Sequence, residues 1–148
     1  MLYPKAQTKP SKKKNEFTAK IKKVEKDLAN GICRKCKSKS IAHYHHITEK
    51  GLGGSRGLSI QINCLGLCCE CHNHDDSDFS RWADIQLYIR IDSIFADYED
   101  FTLEEISKRL GMTKESIDHQ HYKGFLTQEN PKSGYYFTKN DIKRWLRG

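Results

Sequence analysis

The sequence predicts an α+β fold in two parts, a zinc-stabilised unit of two strands and a helix over 15–78 and a small unit of short helices with a hairpin over 100–148. Three observations predict it. Cys33-x2-Cys36 and Cys68-x2-Cys71 are paired cysteines at the spacing of zinc-binding knuckles. Between them lie two short apolar runs, 41–47 and 65–68, separated by a segment holding Gly51, Gly53, Gly54 and Gly57. Beyond residue 100 the apolar spacing turns helical and carries two capping signals, Thr102-x-x-Glu105 and Thr138-x-x-Asp141.

In chain order, residues 1–14 contain Pro4, Pro10 and the run Lys12-Lys13-Lys14, and are expected to form a disordered basic tail. Phe17, Ile21, Val24 and Leu28 recur at helical spacing and are followed by the stop signal Asn30-Gly31, so a short helix feeds the first cysteine pair. Ile41 to Ile47 and Leu65 to Cys68 read as strands, with Lys50 to Gly57 as a flexible loop between them. A helix is expected to begin near Cys69–His72, where Asp75, Asp76 and Asp78 suit a positive helix N-terminus.

Residues 79–99 read as a linking helix. Trp82, Ile85, Ile89 and Phe95 are among its apolar positions, but Leu87, Tyr88 and Ile91 fall on other faces, so it is expected to pack on two neighbours. It is also acidic, from Asp84, Asp92, Asp97, Glu99 and Asp100, and that face does not suit a phosphate backbone. The last unit opens with a capped helix over 103–110, turns at Gly111-Met112 and continues as a second helix from Lys114 to Lys123 capped by Thr113. Phe125–Thr127 and Tyr135–Phe137 flank turn residues and read as a hairpin, and a final helix runs through Trp145.

The net charge is +7, and the first 30 residues supply six of those charges through nine lysines set against Glu16, Glu25 and Asp27. A basic arm of this kind suits a polyanion such as DNA, and the plainer reading is a solubilising tail. No stretch is long and apolar enough for a signal peptide or a membrane span, so a cytoplasmic protein with no membrane partner is expected. Thiols in that setting stay reduced, which makes the cysteines metal ligands rather than disulfides.

Cys33, Cys36, Cys68 and Cys71 together offer four thiolates for one structural zinc. The gap between the pairs exceeds that of a plain zinc ribbon, as an inserted hairpin with its own site would require. Cys64 and Cys69 break the knuckle spacing and read as core or spare thiols. Inside the gap stand His45-His46 and Asn63, and His72 follows the last knuckle cysteine. On a strand, His45 and His46 point to opposite faces, so a bend at the strand end is needed to bring both to one site. Each also has a plain reading: an ordinary strand pair, a turn asparagine, and an imidazole replacing one zinc thiolate. His43 and His74 read as bystanders, with His74 able to replace His72 if the helix register differs.

Taken in order, Cys-x2-Cys, His45-His46, Asn63 and Cys68-x2-Cys71-His72 resemble the HNH nuclease family over about residues 31–75. The resemblance implies a ββα-metal finger. It implies that His45 and His72 bind a catalytic divalent ion, magnesium or manganese, that His46 is the general base and that Asn63 positions the loop and the base. Lys50 and Arg56 then become candidate contacts to the scissile phosphate, against a plain reading as exposed loop charges.

Residues 101–142 resemble the winged helix-turn-helix of MerR-type regulators and phage excisionases, through Phe101–Ile106, Leu110-Gly111-Met112-Thr113, Lys123–Leu126 and Phe137–Ile142. The resemblance implies a core of Ile106, Leu110, Ile117, Phe125, Leu126, Ile142 and Trp145. It also implies that Ser116, His119, Gln120 and Lys123 face DNA, with Lys132, Lys139, Lys143 and Arg144 near phosphates. The chain departs from the pattern at Asp118, where an arginine is usual and where an acid repels phosphate.

The expected function is therefore a metal-dependent DNA endonuclease, targeted by its C-terminal unit and aided by Lys12, Lys13 and Lys14, in a phage or mobile-element setting and with a homodimer or a phage protein complex as partner. One competing reading is a noncatalytic zinc-containing DNA-binding regulator or recombination accessory protein. Another is a nuclease whose C-terminal unit binds protein.

Overall fold

The computed structural model describes residues 16–48, 58–73, 77–129 and 136–147. The expected tail, the glycine-rich loop and the turn of the expected hairpin lie outside them. The fold mixes helices with two small antiparallel sheets.

Helix α1 (Ala19–Leu28) starts where the Thr18 hydroxyl accepts the Ile21 N–H at 3.3 Å and stops where Asn30 and Gly31 turn left-handed at φ 53° and 71°. Strand β1 (His43–His46) pairs with β2 (Cys64–Leu67) in the register His43↔Leu67 to His46↔Cys64. Every residue of β2 is buried. Helix α2 (Cys69–Asn73) follows directly after Cys68, and α3 (Ser77–Ile94) comes next, its Arg90 reaching the carbonyls of Ile62 and Cys64.

Which side of α1 faces inward differs from the expected stripe. Phe17 is buried, but Val24 and Leu28 are 36% and 64% exposed, whereas Glu25 is 1% exposed. The reason is electrostatic. Glu25 takes Arg34 in a two-pronged bond at 2.8 and 3.1 Å, accepts Arg90 of α3 at 3.3 Å on both oxygens and accepts the Gly66 N–H at 3.1 Å. Arg90 also donates to the Cys64 and Ile62 carbonyls at 2.6 and 3.2 Å. A buried carboxylate demands such partners, and meeting them rotates α1 away from its apolar stripe. On α3 the buried positions are Phe79, Ala83, Leu87 and Ile91, while Ile85 and Ile89 are more than half exposed.

The remaining chain packs on the same helix. Strand β3 (Asp100–Thr102) runs into α4 (Leu103–Leu110), whose N-terminus carries a full capping box between Thr102 and Glu105. Gly111, left-handed at φ 66°, ends α4, and Thr113 caps α5 (Lys114–Tyr122). Strand β4 (Tyr136–Thr138) leads into α6 (Lys139–Arg147).

Among the described residues the expected pairing of 125–127 with β4 is absent. Strand β4 pairs with β3, in the register Asp100↔Thr138, Phe101↔Phe137 and Thr102↔Tyr136. Residues 125–126 are spent on the end of α5 instead: both of their N–H groups donate to the Gln120 carbonyl, at 3.0 and 3.2 Å, and the Leu126 carbonyl meets the His121 ring at 2.8 Å. Leu126 is thereby buried and Phe125 is left 38% exposed, so of the expected core only Phe125 faces out. One continuous set of buried side chains runs from Cys33 through α3 to Leu146.

Candidate metal centre and the histidine face beside it

The first knuckle is shaped by backbone bonds. Cys33 N–H donates to Lys39 O at 2.8 Å and Lys37, left-handed at φ 58°, donates back to Cys33 O at 3.1 Å. The second knuckle spans the end of β2 and the first turn of α2. The Arg34 N–H to Gly66 O bond, 3.0 Å, sets one against the other.

The sulfurs of Cys33, Cys36, Cys68 and Cys71 all lie within 4.8 Å of one another. Cys36 and Cys68 are 3.9 Å apart. A tetrahedral zinc with bonds of about 2.3 Å sets its sulfurs about 3.8 Å apart, so the four thiols fit a single zinc ion. The electrostatics are uneven. The Ser38 hydroxyl, helped by backbone N–H groups of Ser38 and Lys39, lowers the Cys36 thiol to about 6. Burial works against ionisation of Cys33, but N–H groups of Cys36, Cys68 and Lys35 outweigh it and the net shift is downward. Burial pushes Cys71 up to about 12. Metal binding supplies the missing positive charge that lets all four ionise. Cys64 is a different kind of thiol: burial, with the Glu25 charge behind it, pushes it up to about 12, as suits a core residue.

Beside this cluster the histidines divide by strand face. The ring of His45 meets His72 edge-on at 5.5 Å and Phe79 at 5.6 Å. His46 points the other way, stacked on Phe17 at 4.0 Å and bonded through Nε2 to the Ser59 hydroxyl at 3.1 Å. The structure thus brings His45 and His72 together and keeps His46 on the opposite face, as strand alternation dictates. His43, two residues before His45, joins the first group: its ring stacks on His72 at 4.6 Å and its Nε2 lies 3.4 Å from the Cys69 sulfur. Cys69 is exposed. The alternate spacing of His43 and His45 is the signal that places both on one face.

Asn63 is 3% exposed and fully engaged. Its side chain accepts the Thr48 N–H and hydroxyl at 2.9 and 3.2 Å, and donates to the Thr48 and Leu58 carbonyls at 3.3 and 2.9 Å. It therefore ties together the two roots of the segment 49–57. Arg90 fixes the carbonyls on either side of it, a role that sequence patterns do not reveal.

Lys12, Lys13, Lys14, Lys50, Arg56, Lys132 and His74 lie outside the described residues. On α5, Ser116, Asp118 and His119 are exposed, as is Lys123 at its C-terminal cap. Gln120 is half-buried, its side-chain oxygen accepting the Trp145 indole N–H at 3.1 Å. The cations of α6 are paired within the chain: Lys139 and Lys143 with Asp92, Arg144 with Asp141 and Glu129, and Arg147 with Asp84. Among the described residues no helix is long and apolar enough to cross a membrane.

Comparison of the chain with protein-family models, with curated proteins and with solved structures gives no match.

Proposed function

We propose that the chain is a metal-dependent endonuclease of HNH type that hydrolyses DNA phosphodiester bonds. The observation that supports it best is a juxtaposition. His45 and His72 meet on one face of the β1–β2 pair, at the edge of a four-cysteine cluster, while Asn63 pins the roots of the intervening segment. His45 and His72 would hold a divalent ion, which when bound supplies positive charge to the phosphate and the leaving oxygen.

His46 is the proposed base, working in its neutral form; it stands on the strand face opposite His45 and His72, so the reading requires the end of β1 to bend before His46 can take a proton from the attacking water. Phe17 and Ser59 fix its ring from two sides. Asn63 acts on that base indirectly: it anchors Leu58, the neighbour of Ser59, and so sets the hydroxyl that His46 meets. The α4–α5 pair is the proposed DNA-selecting element, with Ser116, His119 and Lys123 on its open side. The internal pairing of the α6 cations favours a second reading for this unit, contact with a protein partner rather than with phosphates.

A plasmid-nicking assay with the full chain, with and without added divalent ions, tests the proposal. Metal-dependent conversion of supercoiled DNA to nicked or linear forms is expected, and His46→Ala should abolish it with zinc content and circular dichroism unchanged. Undiminished cutting by His46→Ala would remove the base assignment. Absence of cutting by the wild-type chain with any metal, while it still shifts DNA in a gel, would favour the binding-protein reading.

A further inference from the structure

Strand β1 and helix α2 gather more metal-binding chemistry than two ligands. His43 and His45 share a strand face, and α2 lies over it. His43 stacks on His72 at 4.6 Å, His72 meets His45 at 5.5 Å, and the Cys69 sulfur lies 3.4 Å from His43 Nε2. Glu70, a further potential ligand on this helix, is engaged by Lys39. Cys69 sits between the two cysteines of the second knuckle in sequence, yet it is exposed and turned to His43, whereas Cys68 is buried in the four-sulfur cluster.

The sulfur decides the chemistry. Imidazole and thiolate donors suit zinc, cobalt or nickel, whereas magnesium demands a shell of oxygens. We infer that His43 and Cys69 join His45 and His72 in a second metal site, separate from the four-cysteine cluster and selective for a transition ion of the zinc class over magnesium. The inference rests on the reading of His45 and His72 as divalent-ion ligands, and adds two ligands and a metal class to it. The donors are adjacent but not yet focused on one point. The Cys69 sulfur and His43 Nε2 already lie 3.4 Å apart, and the site requires these two exposed side chains to turn toward His45 and His72 while the β1–β2 register holds the backbone.

Cobalt(II) titration of the full chain without a polyhistidine tag tests this, read by visible absorption and by metal content. Two ions per chain are expected, with the second adding a further thiolate-to-cobalt absorption. Cys69→Ser should lose that added absorption and His43→Gln should lose the second ion, while both variants keep the first ion and the wild-type circular dichroism. A single ion per chain overturns the inference. So does a second ion that adds no thiolate absorption and is indifferent to both substitutions; that result leaves the His45–His72 ligand pair standing. Conversely, a thiolate-bearing second site in a protein that nicks no DNA under zinc, cobalt, manganese or magnesium keeps the site and overturns the nuclease reading.

Discussion

Asn63 grips Thr48 three times, accepting its N–H and hydroxyl and donating to its carbonyl, at 2.9, 3.2 and 3.3 Å. Both residues are buried, and the fourth bond of the asparagine goes to Leu58 across the 49–57 segment.

Asn63→Ala should therefore cost about 1–3 kcal/mol, because it leaves the buried backbone N–H and carbonyl of Thr48 unpaired, along with the half-buried Leu58 carbonyl. Chemical denaturation measures the cost, and plasmid nicking should fall well beyond what the lost stability explains. A stability change below about 0.5 kcal/mol, the size of an ordinary surface substitution, would mean that the clamp contributes little.

Asp141 plays the matching part in the C-terminal half. It is 1% exposed, and its carboxylate accepts the Glu129 and Thr138 N–H groups at 3.0 and 2.9 Å, joining the roots of 130–135, and also accepts Arg144 at 2.7 Å. Asp141→Ala is expected to cost about 2 kcal/mol, the range of hydrogen bonds to a charged group. The same denaturation series checks it, with Asn140→Ala on the exposed neighbour as the near-neutral control.

Glu25→Gln should be among the most damaging single changes. It leaves Arg34 and Arg90, with side chains 23% and 20% exposed, sharing a pocket with no counter-charge. A loss of about 3 kcal/mol is expected, the lower end for breaking a buried pair, because both guanidinium groups retain some water. A denaturation midpoint equal to the wild type would show that solvent already compensates them.

Removing the metal cluster should act on the fold as a whole. Cys68→Ser is expected to lose the structural zinc, read by elemental analysis, together with the near-ultraviolet dichroism of the packed core. Retention of a full zinc equivalent would point to a substitute ligand, with His72 the nearest in sequence to the knuckle.

Acid stability should show one identifiable component. The Arg109 guanidinium, bonded to Asp97 at 2.6 and 2.8 Å, holds the Asp97 carboxyl below the usual carboxylate range. A lowered folded-state value means that the pair stabilises fully above the ordinary carboxylate value of about 3.9 and fades as pH falls through the lower folded-state one. Asp97→Asn should lower stability near neutrality by a small amount, since the carboxylate is exposed, and the difference from wild type should close as pH falls through the acid limb. Identical acid limbs in the two proteins would remove the pair from the account.

Much of this molecule was legible from local rules. The cysteine spacing predicted the four-sulfur cluster, and Thr102 and Glu105 form the capping box that their spacing announced. What escaped depended on partners distant in sequence. The apolar stripe of α1 pointed to Val24 and Leu28, but Glu25 turned the helix toward Arg90, 65 residues away. Strand β4 looked like half of a hairpin because its near neighbour was also strand-like. That neighbour's backbone was already taken by the end of α5, so β4 paired with β3 instead. His43 looked incidental because its companion Cys69 lies 26 positions downstream.

Helix α3 belongs to both halves of the core: Phe79 packs beside His45 at one end, and Phe95, just past the other, stacks edge-on with Phe101. Asp84 and Asp92 on its outer side bond to α6. A protein built on such a shared spine resists dissection. Cutting at residue 99 would strip each fragment of one wall of its interior, so neither is a portable part that could be grafted, shuffled or assayed alone. The four-cysteine cluster at one end and the helix pair at the other share that spine, so a change that loosens α3 reaches both.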